Sequence, residues 1–64
     1  MKILTKENKR TLKYMLQSVE RLRDAAIDEI MQNSVTVASA ARDVAATIEQ
    51  FEGVQQDVLN YFYD

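Results

Sequence analysis

Lys6, Arg10, Lys13, Gln17 and Arg21 follow one another at intervals of four, three, four and four residues, the spacing that places side chains in one line along an α-helix. With Tyr14 beside it, such a line spans about 22 Å at 1.5 Å per residue. Cations in a row with one aromatic are the form of a surface that contacts phosphates and stacks on a base. They are equally the form of a solvated helix face, or of one that meets an acidic protein. Glu20, Asp24 and Asp28 cut the line short, and a pI of about 5.0 works against binding a polyanion.

Two other constellations could carry chemistry. The carboxylates Asp24/Asp28 and Glu49/Glu52 recur at helical spacing, but hard cations need four or more converging oxygens, or histidine in a bundle core. No metal site and no cofactor is expected. The C-terminal run Tyr61-Phe62-Tyr63-Asp64 holds three successive aromatics, which cannot all enter one core. Tyr61 and Tyr63 therefore flank Phe62, either as contact anchors for a partner or as a cap against Met1, Ile3 and Leu4. The chain has no histidine, no cysteine and a single glycine, so acid–base, thiol and glycine-loop phosphate chemistry all lack their usual groups. The expectation is a protein that is not an enzyme.

The elements that position these residues are helices. Proline is absent and Gly53 is the only glycine in 64 residues. Helix 1, about 6–32, starts after Thr5, whose hydroxyl suits an N-cap, with Glu7 in the first turn where the helix dipole favours an acid. Leu12, Met15, Leu16, Val19, Leu22, Ala26, Ile27 and Ile30 fall on one arc, with Asn8 at its upper end. Arg23 projects near that arc, its stem expected to pack while the guanidinium reaches an acid such as Asp43. Past Ala26 the phase slips, and the strong positions become Val37, Ala41, Val44, Ile48, Phe51, Val58 and Phe62. Asn33 tolerates the left-handed conformation and Ser34 suits an N-cap, so the turn is read at about 32–35 and helix 2 at about 35–62. The alternative is one continuous coiled-coil helix with a stutter.

Charge favours folding back. Residues 1–23 carry seven basic side chains against Glu7 and Glu20, whereas residues 24–64 carry eight acids against Arg42. An antiparallel hairpin sets one beside the other. With its turn near residue 34, facing residue numbers sum to roughly 68. Ala26 then meets Ala41, Leu22 meets Ala45, Val19 meets Ile48, Met15 and Leu16 meet Phe51, and Leu4 meets Phe62 and Tyr63. Lys9 and Arg10 come near Asp57, and Lys6 near Asp64.

The apolar arc of helix 2, widened by Ala40, Ala45, Val54, Leu59 and the tyrosines, exceeds what one neighbour covers. A chain this short also buries only about 60% of its unfolded surface, and without disulfide or zinc it needs more core. The fold expected is therefore all-α: a single hairpin domain over residues 1–64 that pairs as a homodimer into a four-helix bundle. Its dimer and core residues are Leu12, Leu16, Val19, Leu22, Val37, Ala41, Val44, Ile48, Phe51, Val58 and Phe62. Gly53 falls on the polar side of helix 2, as a kink or a tolerated glycine, or as the start of a third helix. No signal peptide or membrane span is apparent, and a cytoplasmic setting is expected.

By layout alone, with no shared residue pattern, the chain resembles the small plasmid-encoded helix-hairpin RNA-binding proteins that dimerise into four-helix bundles. The functional expectation is a small protein-binding regulator or inhibitor acting through helix surfaces. Partner-binding candidates are Lys6, Arg10, Lys13, Tyr14, Gln17, Arg21, Tyr61 and Tyr63. A nucleic-acid-binding hairpin dimer and a structural coiled-coil oligomerisation module are the alternatives.

Overall fold

The structure, a computed structural model, describes residues 3–63, without the side chain of Tyr63. The expected roles of Met1 and the Tyr63 ring and the expected Lys6–Asp64 approach lie outside the described residues. Helix α1 spans Lys6–Asn33 and helix α2 spans Val37–Tyr63. The two pack against each other as a hairpin. The Cα trace measures 48 × 17 × 9 Å, so the molecule is a plate one helix thick.

Each helix begins on a threonine. Thr5 Oγ1 accepts the Asn8 amide at 3.1 Å, and Thr36 Oγ1 accepts the Ser39 amide at 3.1 Å. Each bond satisfies one of the donors that a helix start leaves orphaned. The turn expectation is corrected in its chemistry. Ser34 does not cap α2: its amide and its hydroxyl both donate to the Ile30 carbonyl oxygen, at 2.9 and 2.6 Å, closing α1. Asn33 is not left-handed either, since no described residue has a positive φ. It stays in α1 while its side-chain amide donates to the Glu29 carbonyl oxygen at 3.0 Å. The reversal is made by extended backbone at Ser34, with φ −82° and ψ 140°, which a serine adopts without strain.

The half-buried positions define the seam. On α1 they include Asn8, Leu12, Met15, Val19, Arg23, Ala26 and Ile30, and on α2 Ala40, Val44, Thr47, Phe51, Val58 and Phe62. These recur every eleven residues (Asn8, Val19, Ile30; Ala40, Phe51, Phe62), or 3.67 per turn, which keeps a seam almost straight on a 3.6-residue helix. A seven-residue repeat would place Leu22 in the slot after Val19; the eleven-residue repeat places Arg23 there. Leu22 is accordingly 62% exposed. Val37, expected in the core or dimer interface, is 87% exposed at the first position of α2, and Ala41 and Ile48 also lie outside the seam within the hairpin. Leu12, Leu16, Val19, Val44, Phe51, Val58 and Phe62 are half-buried. Among the described residues no side chain is fully buried, because in a two-helix layer every residue retains an open side.

α2 runs unbroken through Gly53, with open space within 4 Å of where its side chain would start. Among the described residues there is no third helix, and the glycine is tolerated.

Candidate functional site

The α1 line is displayed as its spacing requires. Lys6, Arg10, Lys13, Gln17 and Arg21 are all exposed, on the side of α1 turned away from α2. Tyr14 stands beside them, 64% exposed. Among the described residues the ion pairs join Arg23 to Asp24 at 3.5 Å and Arg42 to Asp43 at 3.8 Å, and neither touches the line. Four cations thus share one flank without a carboxylate partner among those pairs, a field that attracts anionic surfaces.

At the open end of the hairpin Tyr61 is 72% exposed while Phe62 turns into the seam. Their rings meet edge to face, centroids 5.2 Å apart and planes at 80°. Phe62 lines a groove with Leu4, Leu12 and Leu59, so the apolar N-terminal stretch reaches Phe62. Tyr61 is left with an outward-facing ring. The two features are separate. The α1 line faces away from α2, whereas Tyr61 belongs to α2, and none of the four grooves described contains residues of both.

Arg23 departs from its expected partner. Asp43 lies across the plate, in a groove shared with Ala26, Glu29, Ile30 and Ser39. Arg23 instead lines the opposite groove with Val19, Glu20, Ile48, Phe51 and Glu52. Its stem lies on apolar surface while its head stays at the edge, the arrangement that long cationic side chains favour. Asp24, Asp28, Glu49 and Glu52 are exposed, and no three metal-ligating side chains converge among the described residues. The chain matches no protein-family model, no curated protein and no solved structure.

Sequence reading passed over one group of surface residues. Met31 and Val35 are exposed around the turn, where they line a groove with Val37 and Ala40. The signal was present, since Met31 continues the Ile27 line by one helical turn. No described helix is long and apolar enough to cross a membrane, so this apolar surface is not part of a spanning helix.

Proposed function

We propose that this chain is a small non-enzymatic binding protein, a regulator or inhibitor, that joins a second copy in a four-helix bundle and docks on another protein through its outer helix surfaces. The observation that carries the reading is the absence of any fully buried side chain in the described hairpin. A chain of 7.4 kDa folded to ordinary compactness exposes about 4,200 Å², whereas this one exposes 5474 Å². A fold that leaves so much surface uncovered is completed by contact with something else. Helical spacing supplies the docking features: the cationic line with Tyr14 on α1, and the Tyr61 ring on α2.

The test is capture with the tagged chain from its source cell, followed by reconstitution from purified components. The expected result is one defined protein that binds the reconstituted dimer. Arg10→Gln with Lys13→Gln should weaken that binding about tenfold, the scale of losing two charges at an interface rim. A second reading, nucleic-acid binding, is favoured by the exposure of the cationic line, which joins neither of the ion pairs among the described residues. It gains if nucleic acid alone is recovered and binding falls steeply with salt. Recovery of neither leaves a structural oligomerisation module.

A further inference from the structure

The plate has two faces, and they differ. Val37, Ile48 and Leu59 stand eleven residues apart, three helical turns each, so they form one line on α2. All three are exposed. Ile48 lines the groove that holds Glu20, Arg23 and Glu52; Val37 lines a groove with Met31, and Leu59 one with Leu12. This face therefore carries an apolar line from one end of α2 to the other. On the opposite face Leu22 continues the Glu29 line, beside the groove that contains Asp43.

We propose that the Val37–Ile48–Leu59 face is covered by the same face of a second copy, across a twofold axis near Ile48. This rests on the reading that the hairpin self-associates, and it adds which surface does so and how. The area argues for a second copy. Two separate hairpins expose twice 5474 Å², whereas one compact globule of the doubled mass exposes about 7,000 Å². Closing that gap buries close to 4,000 Å² in total, well inside the 2,000–5,000 Å² typical of obligate homodimers.

Symmetry and charge argue for the axis. An isologous interface must be complementary to itself, and the α2 line is symmetric about Ile48: the axis sets Ile48 on Ile48 and each Val37 against Leu59 of the other copy. The same rotation lays α1 antiparallel on α1, centred near Glu20, which shares the Ile48 groove. It carries Lys9 toward Asp28 of the second copy, and each Arg23 toward the other copy's Glu20, which offsets the approach of the two Glu20 side chains at the axis. The basic start of α1 thereby meets its own acidic end.

Three measurements decide the matter. Light scattering of the unaltered chain at about 100 μM should give twice 7.4 kDa. Val37→Glu with Leu59→Glu sets like charges against each other across the interface, and should raise the dimer dissociation constant at least 100-fold. Leu22→Glu, a change at an exposed position on the other face, should alter it less than threefold. Because a variant can fail through the hairpin itself, Ile48→Cys gives a second readout in a chain without native cysteine. Facing helices bring their Cα atoms within disulfide range at the axis, so mild oxidation should link two Ile48→Cys chains and leave Leu22→Cys chains unlinked. A single-chain mass for the unaltered protein overturns both the inference and the self-association beneath it. A dimer that survives the paired glutamates, yields to Leu22→Glu, or cross-links through Leu22→Cys instead of Ile48→Cys overturns the inference alone.

Discussion

Thr36 holds the amide of Ser39 through its hydroxyl at 3.1 Å, and its carbonyl oxygen accepts the Ala40 amide at 3.0 Å. One residue thus starts α2 with both its side chain and its backbone. Thr36→Ala removes the side-chain half and leaves the Ser39 amide to water. It should lower stability by about 1 kcal/mol, the usual cost of losing a hydroxyl cap. Urea unfolding at one fixed protein concentration measures this, and Thr36→Ser should restore most of the loss. An unchanged midpoint for Thr36→Ala would show that Ser39 finds an equivalent partner.

Gly53 sits within α2 with open space where a methyl group would go. Gly53→Ala should therefore stabilise the helix by about 0.5–1 kcal/mol, by removing backbone freedom from the unfolded chain. That corresponds to a rise of a few degrees in Tm for a domain of this size. A fall in Tm would mean that the site is covered when the protein is assembled.

Asp24→Asn should change stability by less than about 0.5 kcal/mol. Its pair with Arg23 is 3.5 Å long and the aspartate side chain is 70% exposed, so water screens most of the attraction. A larger loss, measured by thermal melting in low salt, would indicate that Asp24 has a partner beyond this hairpin.

Arg10→Gln with Lys13→Gln should leave the helical circular dichroism and the melting curve unaltered, because both side chains are exposed and outside the seam. If the line contacts phosphates, the log–log salt dependence of nucleic-acid binding should flatten by about one per lost contact. Absence of binding by the unaltered chain at about 50 mM salt, where such contacts are strongest, would exclude that role for the line.

Much of the fold was legible because helix breakers and N-caps act locally. Thr5 as a cap and the reversal around residue 34 follow from short-range rules, whereas the charge segregation that pointed to the antiparallel return is not expressed in ion pairs between the helices among the described residues, where both pairs join sequence neighbours. The α2 cap was misassigned between Ser34 and Thr36 because both hydroxyls suit the role. Only the extended backbone at Ser34 decides that one closes α1 while the other opens α2. Leu22 and Arg23 exchange roles for a different reason: a hydrophobic arc shows which side of a helix faces inward, but a single neighbour covers a strip narrower than the arc. Which edge of the arc is left open depends on the eleven-residue seam, and that emerges only when both helices are placed. The cationic line was legible for the same reason as the caps, since its spacing lies within one helix. Its partner is not encoded in that spacing.

A chain folded once, about Ser34–Thr36, orders its own assembly in time. Ala26 and Asp43, which share a groove near the turn, are close in sequence, whereas Leu4 and Phe62, which share the groove at the open end, are nearly the whole chain apart. Closing the turn incurs most of the loop entropy at once, and each further pairing then adds only a short increment. The hairpin accordingly zips outward from the turn, in the microsecond-to-millisecond range of helical proteins with local contacts. The encounter of two plates is the remaining step, and it alone depends on how many chains are present. Refolding should then separate into a fast phase indifferent to concentration and a slower one that quickens as the protein becomes more abundant, so the amount of chain in the cell would set how quickly it becomes functional.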